Sequence, residues 1–152
     1  MYKRQISNLG LLLQKQGKYD EAEPLMREAG QAQLETLGDR HPNTLMTIAN
    51  LGLLLMDQGK YDEAEPLHRE ALKVQRETLG DRHPNTLLFI NNLGLLLMEQ
   101  GKYDEAEPML RESLEAHREV LGDRHEGTLA SINILRALLE AQGKHDEAAR
   151  LS

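Results

Sequence analysis

The sequence predicts an all-α protein built from stacked antiparallel helix hairpins, and three observations carry that expectation. One unit recurs at a constant spacing of 42 residues: QGKYDEAEP begins at Gln16, Gln58 and Gln100 and returns as QGKHDEAAR at Gln142, while LGDRH begins at Leu37, Leu79 and Leu121. Within a unit the apolar residues follow a helical period, and no stretch alternates as a half-buried strand does. Leu, Glu, Gly and Ala dominate, tryptophan is absent, and Phe89 and four tyrosines are the only aromatics. Such a mix favours helices because straight-chain residues lose little rotamer freedom in them.

The repeats are expected at about 2–43, 44–85, 86–127 and 128–152, the last truncated, as a single array over 1–152. Residues 44–85 and 86–127 match at 29 of 42 positions, which requires that they fold alike. In the second copy Leu45, Ile48, Leu51 and Leu55 make one stripe on a first helix from about Thr44 to Gln58. Gly59 is expected to stop it, since glycine enters the left-handed region without a Cβ penalty. Asp62, with Glu65 three residues on, reads as an acidic capping box opening a second helix. Pro66 falls in or just beyond that helix's first turn, where little backbone hydrogen bonding is lost. The second helix is expected to turn Ala64, Leu67, Ala71, Leu72 and Val74 inward. Its exposed side carries the pair Glu65–Arg69, repeated as Glu23–Arg27 and Glu107–Arg111. LGDRHPNT makes the exit, with Pro42 and Pro84 suited to the first helical position. Two helices of this length cannot bury a face alone, so each hairpin must stack on its neighbours.

The pattern Leu51-Gly52, Leu55, Gly59, Tyr61, Ala64 and Ala71 resembles a tetratricopeptide repeat. The 42-residue form, with NNLG, QGKYDEAEPL and LGDRHPNT, resembles the repeats of kinesin light chains. The resemblance implies a right-handed superhelix, a tetratricopeptide-like solenoid, used as an adaptor that holds extended peptides in a concave groove lined by first helices. Both ends depart from the pattern. Lys3, Arg4 and Gln5 stand where Leu45, Met46 and Thr47 stand in the second copy, a polar edit suited to an end cap. Arg136 replaces the small residue of Gly10, Gly52 and Gly94, and the last helix, HDEAARLS, is about half length. Leu135, Leu138 and Leu139 are therefore expected to be under-covered, giving a weak homo-oligomer through residues 128–152.

With Ile48, Leu51 and Leu55 on the packing side, a turn of about 100° per residue puts Met46, Asn50, Leu53 and Asp57 opposite, with Ala49 and Met56 beside them. This face gives the candidate peptide-binding residues. An asparagine column, Asn8, Asn50 and Asn92, with Asn91 and Asn133 alongside, matches the ladder by which similar arrays hold a ligand. Side-chain amides both give to and accept from a peptide backbone without reading its side chains. An apolar strip of Met46, Leu53, Met56, Leu88, Leu95 and Met98 suits adaptable contact. The plainer alternatives are that each asparagine bonds its own helix or solvent, and that the strip is buried between adjacent first helices. Arg4 and Lys15 lie at one end and Asp57, Glu99 and Glu140 further along. The resemblance associates kinesin-light-chain cargo with basic walls, so this acidic face fits a ligand with apolar anchors and a basic residue better.

Several function classes are excluded or disfavoured. A net charge of −7, concentrated in residues 44–127, argues against a nucleic-acid partner. Cysteine is absent, which removes disulfides and thiolate metal sites. His41, His83 and His125 recur once per repeat, too far apart to share one ion, and read as loop or helix-cap residues. The acids of YDEAE fall at a helix start, where the macrodipole favours them. HExxH, GxGxxG, P-loop and serine-elbow patterns are absent, so no enzyme activity, cofactor or metal is expected. No segment is apolar enough for a membrane span, and a cytoplasmic address is the default expectation. The expected function is a protein- or peptide-binding scaffold. The alternative is a self-assembling structural or engineered repeat protein without a dedicated ligand.

Overall fold

A computed structural model describes residues 2–151, with side chains described from Asn8 onward. The chain forms α1 (Tyr2–Lys15), α2 (Tyr19–Leu37), α3 (Pro42–Asp57), α4 (Tyr61–Leu79), α5 (Pro84–Glu99), α6 (Tyr103–Leu121), α7 (Glu126–Ala141) and α8 (His145–Arg150). Among the described residues there is no strand. Odd-numbered helices are the first helices of hairpins and even-numbered ones the second.

Each boundary has a local cause. Gly59 takes φ +79°. Its N–H then reaches Met56 O at 2.9 Å and the Lys60 N–H reaches Leu55 O at 2.8 Å, the paired bonds of a Schellman ending. Gly101 ends α5 the same way, at φ +77°. Pro42 and Pro84 open α3 and α5 at the first helical turn. The start of the second helix differs from the expectation. α4 begins at Tyr61, so Asp62 lies inside the helix and is not its cap. The equivalent Lys18 and Lys102 occupy the cap position of α2 and α6 without a side-chain bond. The Lys60 carbonyl takes the Ala64 N–H at 3.1 Å, and Asp62 and Glu63 in the first turn face the positive end of the dipole.

Two compact units divide the chain, Met1–Val74 and Gln75–Ser152, with the division inside α4. In the first, α1 packs on α2 and α2 on α3. Its core includes Met26, Ala29, Leu45, Leu54 and Leu55, all at or below 2% exposure. In the second, α5 packs on α6, α6 on α7 and α7 on α8. Phe89, Ile90, Leu97, Leu110 and Leu135 are buried there.

In three hairpins one second-helix residue uses a glycine as its seat. A β-carbon at Gly10 would lie 2.9 Å from Met26 Cγ, one at Gly52 2.7 Å from His68 Nε2, and one at Gly94 2.5 Å from Leu110 Cδ2. The small residue lets the second-helix side chain rest on first-helix backbone. Arg136 occupies this position in α7, and its Nη2 donates to Leu151 O at 2.9 Å.

The expected under-covering of α7 is corrected by the structure. Leu135, Leu138 and Leu139 are each 0% exposed. α6 packs on one side of α7 and α8 on another, so even the six residues of α8 complete the cover. The basis for self-association through residues 128–152 is thereby removed.

Candidate functional site

In the first unit the candidate face lies along α1 and α3. Asn8 is exposed, and Asn50, Met46, Leu53 and Met56 are half-buried. Gln14 Nε2 donates to Asp57 Oδ2 at 3.2 Å, so the faces of α1 and α3 lie side by side. Ala49, expected at the edge of this face, is 2% exposed and belongs to the core. The expected basic residue Arg4 lies outside the residues whose side chains are described.

In the second unit the face lies along α5 and α7, which are in contact. Leu88 is 44% exposed, and Asn92, Leu95 and Met98 are half-buried. Asn133 is exposed and accepts from Arg136 Nη1 at 3.3 Å. Glu99 and Glu140 are exposed, with Glu140 2.5 Å from His145 Nδ1.

Asn91 departs from the expectation for a contact residue. It is 6% exposed and its amide is spent inside the unit: Nδ2 donates to Ser131 Oγ at 3.0 Å and Oδ1 accepts from Ser113 Oγ at 2.7 Å. His117 completes the cluster, with Nδ1 2.9 Å from Ser131 Oγ and 2.8 Å from Ser113 O. Burial holds the His117 imidazole below the usual histidine range, opposed by the Ser113 carbonyl and helped by the nearby His125. One repeat earlier these four positions hold Ala49, Ala71, Phe89 and Gln75. Four linked departures from the repeat were the signal that sequence reading passed over.

A second feature also escaped it. A cleft of about 540 Å³ opens among α2, α3 and α4 in the first unit, lined by Met26, Gly30, Leu34, Ile48, Leu51 and Leu67, among others. Gly30 stands where Leu72 and Leu114 stand in later repeats, and both of those leucines are 5% exposed. The cleft opens where a leucine side chain is missing, and Ile48 on its wall is half-buried whereas the equivalent Ile90 and Ile132 are buried. Beside it, Leu34 is 41% exposed at a position that later repeats give to Arg76 and Arg118.

The recurring histidines cap helices. His41, His83 and His125 each precede a first helix and accept through Nδ1 from the backbone N–H of Asn43, Asn85 and Gly127, at 3.1, 3.1 and 2.9 Å. His68 is different: at 2% exposure it fills the core socket over Gly52, and its Nε2 has no hydrogen-bond partner of good geometry. Burial lowers its pKa to about 4, partly opposed by the Gly52 backbone. Among the described residues no group of three acidic, histidine or cysteine side chains is placed to hold a metal ion. No described helix is long and apolar enough to cross a membrane.

The fold is shared with known proteins. The profile of the MalT-like TPR region matches residues 4–152. A crystal structure of a Podosopora anserina protein assigned to the kinesin light chains, with nearly identical TPR-like repeats, is 27% identical with a TM-score of 0.88. It covers 97% of this chain and 70% of that one. A single-site variant of that protein matches over the same shares at 28% identity and a TM-score of 0.88. BtubC (BKLC) from P. vanneervenii shares the fold, with 21% identity, a TM-score of 0.86, and 97% of this chain against 59% of that one. No curated protein matches the chain. The 42-residue period, the glycine seats and the match over residues 4–152 lead to one conclusion: the chain belongs to the MalT-like tetratricopeptide-repeat family and is kinesin-light-chain-like in its repeats.

Proposed function

We propose that this chain is a non-enzymatic scaffold that holds an extended segment of a protein partner along its first-helix faces. Tetratricopeptide repeats in general mediate protein interactions, and one observation supports locating that role here. In both units the face opposite the core stays at the surface while carrying amides beside apolar side chains: Asn50 with Met46 and Leu53, and Asn92 with Leu88 and Leu95. An amide that offers both a donor and an acceptor can pair with a peptide backbone, and the methionines and leucines supply adaptable contacts. Exposed Asp57 and Glu99 favour a ligand with a basic residue beside its apolar anchors.

Selection from a displayed peptide library against the full chain identifies such segments. The double variant Asn50→Ala/Asn92→Ala is then expected to bind them more weakly by about 1–3 kcal/mol, with melting little changed. Undiminished affinity in the double variant sinks this placement of the site.

A further inference from the structure

Two departures from the repeat meet at one place in the first unit. Gly30 opens the cleft of about 540 Å³ among α2, α3 and α4, where later repeats carry Leu72 and Leu114. Four residues on, and so on the same side of α2, Leu34 stands at the lip, 41% exposed, where later repeats carry Arg76 and Arg118. The first unit therefore lacks both an isobutyl group and a guanidinium that later hairpins supply from their own chain.

The second unit shows what that guanidinium does. Arg76 Nη1 donates to Asp81 Oδ1 at 2.8 Å and to Glu112 Oε2 at 2.9 Å. Arg118 likewise pairs with Asp123 at 3.5 Å. In the first unit the registers of Asp81 and Glu112 fall to Asp39 and Glu70. Both are exposed, and among the described residues neither has an ion-pair partner. Arg27, the cation on the cleft wall, is already matched by Glu23 at 3.0 Å and Glu63 at 3.5 Å. An apolar hollow thus lies beside two carboxylates that are without their arginine.

We propose that this cleft binds a small organic cation, an alkyl or aryl body bearing a guanidinium or an amine. The body enters the space that Gly30 leaves open, against Ile48, Leu51 and Leu67, and the cation rests between Asp39 and Glu70. Burial of the body against apolar walls supplies the affinity, and the two carboxylates select the charge. A hollow of this volume matches a small molecule, whereas a docked helix spreads its anchors over a longer face. The site shares no residue with the first-helix faces proposed above, so either reading stands without the other.

Calorimetric titration of the full chain with hexylguanidinium, hexanol and hexanoate tests this by varying the charge on one apolar body. Hexylguanidinium binds saturably, and the alcohol and the carboxylate bind roughly tenfold more weakly or not at all. Asp39→Asn/Glu70→Gln, at two exposed positions, brings hexylguanidinium to within about twofold of hexanol. Gly30→Leu abolishes binding of the cation while the circular dichroism spectrum stays helical. No saturable binding of hexylguanidinium at millimolar concentration, equal affinity for all three probes, or undiminished binding to either variant overturns the proposal. So does binding of a peptide with a leucine and an arginine four residues apart where hexylguanidinium does not bind, which makes a protein segment the occupant. Should Gly30→Leu not fold, the double variant alone decides.

Discussion

Replacing His68 by methionine should make the protein less sensitive to mild acid. The ring is 2% exposed and its pKa is lowered to about 4 from the usual 6.5 by burial. Between those two values the unfolded chain binds a proton that the folded chain refuses. The contribution is therefore fully present above pH 6.5, declines as pH falls, and is exhausted near pH 4. A gap of that size corresponds to about 3 kcal/mol, a large part of the roughly 5–15 kcal/mol that holds a typical domain together. Methionine is a fair replacement because Met26 fills the equivalent socket over Gly10, as Leu110 does over Gly94. Urea titrations followed by circular dichroism at pH 7.5, 6, 5 and 4.5 read the effect directly. The unaltered chain should lose stability progressively across this range, and His68→Met should lose markedly less. His117, also lowered by burial, leaves the variant a residual slope in the same direction. The paired carboxylates Glu23 and Glu107 add slope only at the acid end of this range, where the unfolded chain begins to take up their protons, and they do so equally in both chains. Burial raises the pKa of Glu23, but the bonds from Lys60 and Arg27 outweigh it, and Lys144 leads the lowering at Glu107, so both titrate below the usual carboxylate range. Parallel pH profiles for the two chains would refute the reasoning, because the buried imidazole would then carry no proton linkage.

Other expectations follow from single contacts. Gly30→Leu should stabilise the first unit by about 2 kcal/mol, from helix propensity and from filling the cleft; a β-carbon there meets only Thr47 Cγ2, at 3.6 Å, and a lowered melting temperature would show that the space is not a leucine's. Asn91→Ala should cost about 1–3 kcal/mol in urea melts, because it removes from a buried site the amide that donates to Ser131 and accepts from Ser113. His83→Ala removes the side-chain acceptor for the Asn85 N–H and should cost about 1 kcal/mol, seen as faster amide exchange at the start of α5.

What was legible in the sequence is what recurs. The period placed Gly59 and Gly101 at helix ends and Pro42 and Pro84 at helix starts, and assigned His41, His83 and His125 to loops or caps. Each of these is a local backbone requirement, readable from a few residues. Asp62 misled because its acidic run suits either a cap or a first turn, and the chain turns helical two residues sooner than a cap there implies, at Tyr61. Departures from the repeat were harder. Gly30 and the set Asn91, Ser113, His117 and Ser131 are visible as exceptions, yet only packing shows that the glycine leaves a void and that the four polar residues meet. Asn91 and Asn92 are neighbours in sequence, and a turn of about 100° between them sends one into the core and leaves the other at the surface. The cover of α7 was misjudged from helix length, whereas a single turn and a half of α8 suffices where α6 already lies alongside.

The glycine seats have a consequence for how such arrays can diversify. Because the wall of each socket is main chain, the socket has the same shape whatever side chain plugs it, and thioether, imidazole and isobutyl groups are all found in it within one molecule. The plug is thus an interchangeable part. Swapping plugs between repeats resets the melting point or acid tolerance of a chosen hairpin without re-cutting its neighbours, and the same slot could take a reporter side chain. A repeat protein of this kind keeps its geometry in backbone and spends its side-chain variation on local temperament.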